Sequence, residues 1–168
     1  MKPLTYLSSA AVALAALALA AFPASAQNAS EIAHARAGGN CPHCNLFQAD
    51  FANLKLKGRD FAGARLRQSD MSAAIMNYTT FAGGDLRDVN AYGALFTGAD
   101  FAHANLTNAS FVGAYLEGAN FRGAHLEGVN FSGAEMDRAV GLTQSQLSGA
   151  CGDAATRLPR GLYLHPCS

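Results

Sequence analysis

Hydrophobic residues recur at every fifth position through more than half of this chain. From Leu46 to Met136 each fifth residue is Leu, Phe or Met, with the single exception of Ala91. The residue two before each of these centres is usually Ala, as in Ala99-Asp100-Phe101, Ala104-Asn105-Leu106 and Ala119-Asn120-Phe121. The residue two after is usually Gly or another small or polar group. Strands alternate with period two and helices with period 3.6, so a strict period of five fits neither. A short repeat whose apolar position never drifts predicts a solenoid, in which each unit stacks on its neighbours.

Steps of twenty reveal how many units make one turn. Leu46, Leu66, Leu86, Leu106 and Leu126 are all Leu, and Phe61, Phe81, Phe101 and Phe121 are all Phe. The other two series read Phe51, Met71, Ala91, Phe111, Phe131 and Leu56, Met76, Phe96, Leu116, Met136. Two chemically pure ladders predict a four-sided coil of twenty residues per turn, because stacked side chains on one side share one kind of slot.

These units resemble the pentapeptide-repeat proteins, whose motif is approximately A(D/N)LXX. The likeness runs from Cys44 to about Arg138, nineteen units in phase. It implies an all-β solenoid, a right-handed quadrilateral β-helix with the centre and the small residue before it turned inward and the other three positions turned to solvent. Neighbouring coils spaced like strands, about 4.8 Å apart, give a rod about 23 Å long. Gly and polar residues at the corners suit sharp turns. Leu54, Arg59 and Thr79 depart from the motif at the small position, and Ala91 at the centre. An inward charge is costly. Arg59 therefore predicts a local distortion or a side chain that escapes to the edge, and Ala91 a space for Tyr92 or another neighbour.

The segments outside the repeat divide into a leader and two caps. Lys2, the apolar run from Ala10 to Phe22 and Ala24-Ser25-Ala26 read as a signal peptide over residues 1–26, cleaved before Gln27. Residues 27–43 read as an N-terminal helix and cap. Asn28-Ala29-Ser30-Glu31 has capping-box spacing, and Gly38 and Gly39 end a short amphipathic helix lying on the first coil. Residues 139–168 read as a second short helix and a tail. Thr143-Gln144-Ser145-Gln146-Leu147 repeats the capping logic, with Gly149 as the stop and Leu142 and Leu147 covering the last coil. The tail, from Leu158-Pro159-Arg160-Gly161-Leu162 to Cys167, is similar to that of related exported repeat proteins.

A leader directs the chain out of the cytoplasm, to the periplasm or exterior of a bacterium, where disulfides are permitted. Four cysteines allow three pairings. The rod sets Cys41 and Cys44 at one end and Cys151 and Cys167 at the other, beyond the roughly 7 Å Cα reach of a bridge. That leaves Cys151–Cys167 as a clasp on the tail, with model loops of this length contributing about 3 kcal/mol. Cys41-Pro42-His43-Cys44 stays open between a tight bridge, a metal site and free thiols.

That motif is the one chemically suggestive constellation. Its Pro-His dipeptide resembles that of bacterial disulfide oxidases of the thioredoxin fold, but that chemistry needs a helix N-terminus to lower the first thiol's pKa. Here Cys44 falls instead at the small position of Cys44-Asn45-Leu46, and no βαβ pattern surrounds it. As a metal site the motif would recruit His34, Cys41, His43 and Cys44, which are ligand types for zinc or copper in a spacing that is not a zinc finger's. His103, His125 and His165 are scattered surface residues. No nucleophile elbow, P-loop or dinucleotide fingerprint occurs. Asp50, Asp60, Asp70 and Asp100, each just before a centre, read as turn residues bonded to nearby backbone. No catalytic residue, cofactor or metal is therefore expected, and the chain is not expected to be an enzyme.

Charge and the leader together disfavour another class. With the leader and its Lys2 removed, 11 Lys and Arg face 12 Asp and Glu, a formal charge of −1. DNA-mimicking, topoisomerase-binding members of the family need a strongly acidic cytoplasmic rod, so no nucleic-acid-like role and no nucleic-acid partner is expected. The charge is graded, however: Lys55, Lys57, Arg59, Arg65 and Arg67 lie early, offset by Asp60. Glu117, Glu127, Glu135 and Asp137 lie late, offset by Arg122 and Arg138. Such a gradient suits an anion-facing end or head-to-tail association. Outward apolar residues form a stripe at steps of twenty, Ile75, Leu95 and Tyr115, with Tyr92 and Val112 on an adjacent face. A stripe of this kind marks a contact surface. The expected role is a rigid binding or assembly scaffold for a protein or envelope partner, or a homodimer, with no transmembrane segment after cleavage.

Overall fold

The computed structural model describes residues 27–168, and the leader expected over residues 1–26 lies outside the described residues. From Asn45 onward the residue before each centre pairs in parallel with the residue twenty positions later: Asn45 with Arg65, Arg65 with Asp85, Asp85 with Asn105, and so on round the coil. A turn separates each such bridge from the next. Four bridges and four turns therefore make one twenty-residue coil. We number its sides by their centres: side 1 through Leu46, side 2 through Phe51, side 3 through Leu56 and side 4 through Phe61.

One unit shows why the motif has the composition it has. The Asp100 amide donates to Thr79 O in the coil before (3.0 Å), and those of Phe101 and His103 donate to Asn120 O and Arg122 O in the coil after (both 2.8 Å). The Ala104 amide closes the turn on Phe101 O (3.0 Å). Only the Ala102 amide lacks a backbone acceptor, and the Asp100 carboxylate takes it at 3.0 Å. A donor left unmet there would cost about 1–3 kcal/mol once buried. Asp or Asn before the centre is thus an Asx cap built into each unit. The second turn residue has φ between +53° and +72° in every unit from His43 to Gly133, which explains its bias to Gly and Asn.

The centres are buried almost without residual exposure and form one continuous core. On side 4, Phe101 stacks on Phe81 (centroids 5.1 Å, interplanar 4°) and on Phe121 (5.3 Å, 15°). Phe96 and Phe111 meet it edge-on at 5.4 and 5.7 Å. Pure ladders place identical rings at one coil spacing, which suits offset stacking.

The early departures from the motif have visible consequences. At Arg59 the turn-closing bond to Leu56 O is absent, and Thr79 Oγ1, wholly buried, donates to that carbonyl at 2.8 Å. The turn has opened locally, with Arg59 half-buried and its Nε enclosed without a partner. Tyr92 does not fill the space beside Ala91, since it is 60% exposed. The buried neighbour is Val89, larger than the usual Ala.

Each end differs in detail from its sequence pattern. The ladder begins one unit before the repeats, with Cys41 N donating to Asp60 O and His43 N to Ala62 O (both 2.8 Å), so Cys41 occupies a centre and is 3% exposed. α1 (Ala29–Arg36) starts at Asn28, whose side chain accepts from Glu31 N. It is not the amphipathic helix expected. Ala35 is its one buried residue, with Ile32 partly packed. Polar contacts hold it instead: Glu31 Oε2 accepts from Asn45 N at 2.5 Å, and Arg36 pairs with Asp50 at 3.2 Å. Glu31 thus caps the first coil rather than its own helix.

At the other end α2 (Gln144–Leu147) has a complete capping box between Thr143 and Gln146. Gln146 Nε2 also donates to Phe121 O and Ala124 O (2.9 and 3.0 Å), and Leu147 is fully buried. The coil continues past it with a shifted register: Asn130 pairs with Cys151 and Glu135 with Arg157. β1 (Cys151–Gly152) pairs in parallel with β2 (His165–Pro166).

Candidate functional site

Side 3 is built differently from the other three. Elsewhere the residue before the centre is Asp or Asn in ten units, Asn45, Asp50, Asp60, Asp70, Asp85, Asn90, Asp100, Asn105, Asn120 and Asn130, and every one accepts from the amide two residues on. On side 3 that row reads Lys55, Ile75, Leu95, Tyr115, Glu135, each bridged to the next. None of these is a short Asx cap. The amides of Lys57, Asn77, Glu117 and Asp137 consequently have no protein acceptor among the described residues, and that of Thr97 is met by Asn77 Oδ1 from the coil before (2.9 Å).

The apolar stripe read from the sequence is therefore one physical row. Ile75 and Leu95 are half-buried by their neighbours, and Tyr115 is 44% exposed. Tyr92 and Val112 lie across the corner on side 2, at the turn leading into side 3. Tyr78, which the sequence reading missed, joins this surface: it is 58% exposed, and a Cβ on Gly98 would meet its ring at 2.7 Å, so the Cδ1–Cε1 edge of the ring lies against that glycine. Lys57 Nζ sits 5.3 Å from the same ring centroid. The available signal was a bulky aromatic with φ of +60° at a turn position otherwise held by small or polar residues.

The Cys41–Cys44 motif has the geometry of a turn. The two cysteines are bridged, with Cα atoms 5.4 Å apart, and Cys44 N donates to Cys41 O at 3.3 Å. No helix begins there. His43 lies over Gly63, and His34 Nε2 is 3.1 Å from Asn40 O, so the four residues His34, Cys41, His43 and Cys44 are not brought into one ligand set. Among the described residues no group of three or more His, Cys, Asp or Glu could hold a metal ion. His103, His125 and His165 are exposed and apart. Cys151 and Cys167 are bridged, with Cα atoms 4.9 Å apart.

Carboxylate shifts are confined to capping positions. Burial pushes Asp85 up, but the hydrogen bonds and charge of Arg87 (2.7 Å to each oxygen), with Arg67 beyond, hold it below the ordinary range. Asp153 is also lowered, chiefly by the Gly133 amide (2.8 Å), aided by Thr156 and Ala155. A depression of about 510 Å³ beside Asp153 is lined by Gly152, Ala154, Leu164 and Pro166, and its one carboxylate is already occupied by these bonds.

The family model for pentapeptide repeats matches in eight copies, over residues 44–79, 60–90, 74–113, 85–123 and 114–151. These segments together cover most of the chain, and the chain belongs to the pentapeptide-repeat family. Among solved structures it is similar to HetL, a pentapeptide repeat protein involved in heterocyst differentiation regulation from the cyanobacterium Nostoc sp. strain PCC 7120. Identity is 26% and the TM-score 0.52, over 79% of this chain and 57% of HetL. The chain thus spans little more than half of HetL's length. A pentapeptide repeat protein from the Arabidopsis thaliana thylakoid lumen is 30% identical over 60% of this chain and 66% of that one, with a TM-score of 0.34. Rfr23 from the cyanobacterium Cyanothece 51142 is 19% identical over 77% and 95%, with a TM-score of 0.35. A search of curated proteins finds no match.

Proposed function

We propose that this chain is an exported, non-enzymatic scaffold. It is a right-handed quadrilateral β-helix, closed by α1 and α2, that offers side 3 as a rigid surface to a protein or envelope partner. The observation that carries this reading is the row Ile75, Leu95, Tyr115. At those three units the backbone cap is given up and apolar side chains face outward instead. Stability alone favours Asp or Asn there. A thiol-redox or metal role has less support, because Cys41 and Cys44 are bridged in a turn with no helix N-terminus beside them. A topoisomerase-directed DNA mimic is disfavoured by the near-zero charge.

Affinity capture from the envelope fraction tests the scaffold reading, with the processed wild-type chain and Leu95→Asp as paired baits. A partner held by wild type and lost by the variant, at equal folding by circular dichroism, is the expected result. Identical capture by both would sink the assignment to side 3.

A further inference from the structure

Side 3 is self-complementary when turned end for end. Its first outward row, Lys55, Ile75, Leu95, Tyr115, Glu135, is basic at one end, apolar in the middle and acidic at the other. The second, Lys57, Asn77, Thr97, Glu117, Asp137, also runs from basic to acidic, with a polar middle. Both rows are centred on the coil that contains Leu95 and Thr97. Lys55, Lys57, Glu135 and Asp137 enter no ion pair among the described residues, whereas Glu117 pairs with Arg138 at 3.8 Å. The end charges thus lack a charged partner within the chain, Lys57 resting only over the Tyr78 ring.

We propose that the occupant of side 3 is side 3 of a second copy of this chain, packed antiparallel. The inference rests on the scaffold reading above and names its partner. The two-fold axis lies in the interface, across the rod, at Leu95. This operation keeps each row facing its own counterpart and reverses its direction. Lys55 then meets the partner's Glu135, Lys57 meets the partner's Asp137, and Ile75 meets the partner's Tyr115 around a central Leu95 pair. Tyr78 falls opposite the partner's Gly118, which leaves room for its ring. A parallel arrangement would instead set the lysines of one copy against those of the other. The row spans about 19 Å, four coil spacings. Two outward rows of that length cover far less than the roughly 800 Å² per partner of a standard interface, so the dimer is weak, with a dissociation constant in the micromolar range or above.

Sedimentation equilibrium of the processed chain from about 1 µM to about 1 mM reads the monomer–dimer balance. Lys55→Glu with Lys57→Glu is expected to weaken self-association about tenfold or more, and Glu135→Lys with Asp137→Lys likewise. An equimolar mixture of these two double variants is expected to regain dimers, because both ends of the mixed pair are again complementary. All four changes in one chain restore self-association but abolish mixing with wild type, an outcome that a parallel dimer would reverse. These positions are at the surface, and thermal melts of each variant establish that it folds. A monomeric wild type throughout the range, or a dimer indifferent to the charge reversals, would overturn the proposal. The scaffold reading fails separately: a chain that stays monomeric yet loses an envelope partner on Leu95→Asp keeps that reading and refutes only the dimer.

Discussion

Sides 3 and 4 share one backbone and differ in what their outward residues do. On side 4, Asp60, Asp100 and Asn120 each meet the spare amide of their own turn, with Thr80 leaving its turn amide, that of Ala82, without an acceptor among the described residues, and Asn120 also reaches back to Asp100 at 2.9 Å. Behind them stands an unbroken phenylalanine ladder. On side 3 the ladder is mixed, the amides of Lys57, Asn77, Glu117 and Asp137 go unmet by protein, and Ile75, Leu95 and Tyr115 face outward. One side is composed to hold the coil together. The other keeps the coil and diverts its outward residues from that task, and this difference is the ground for proposing side 3 as a binding face.

The contrast can be broken most strongly from within. Phe101→Ala removes a ring with four aromatic neighbours and should cost about 3–5 kcal/mol in chemical denaturation. A cost under about 1 kcal/mol would mean that the coil collapses into the space and that the ladder is not what holds it.

A smaller effect sharpens the comparison at the surface. Asp100→Ala uncaps the Ala102 amide and releases Asn120, and should destabilise by about 1 kcal/mol. Tyr115→Asn does the reverse on side 3, supplying a cap to the Glu117 amide. Its stability should stay within about 0.5 kcal/mol of wild type or rise, while any contact made by side 3 weakens. Equal losses for both variants would erase the distinction between the sides.

The smallest effect is the response to acid. Asp85 and Asp153 are held below the ordinary carboxylate value, so each folded-state pKa is lower than its unfolded one. Their stabilisation is complete above the unfolded value, about 3.9, and is lost as pH falls through the folded value. The protection factor of the Gly133 amide, taken against its intrinsic exchange rate at each pH, should therefore fall on acidification, and Asp153→Asn should remove that dependence. Amides of side 3 units with no carboxylate before the centre should show no such change.

Much of this was legible because the repeat is local. Each unit carries its own centre, small residue, cap and corner, so the four ladders and the outward stripe could be read directly from steps of twenty. Departures from the motif were legible as places of trouble but not as outcomes. Arg59 announced a distortion, whereas its form, an opened turn with Thr79 serving Leu56, depends on a contact one coil away. Tyr78 was missed because its importance lies in the glycine beneath it on the next coil. The polar docking of α1 escaped too, since eight residues without a clear apolar face do not reveal that Glu31 will find Asn45.

The sequence by itself determined the coil. A turn every five residues and a matching slot every twenty leave the apolar centres nowhere else to pack. Only the tertiary structure decided how the non-repeating ends join it. Cys41 becomes an extra centre because its amide finds Asp60, and α2 shifts the register so that Cys151 falls beside Asn130. It likewise decided which outward residues lack a cap, because whether an amide is met depends on the coil above and below as well as on its own unit. Local repetition specifies the rod, while contacts across coils specify its ends and which outward amides are met.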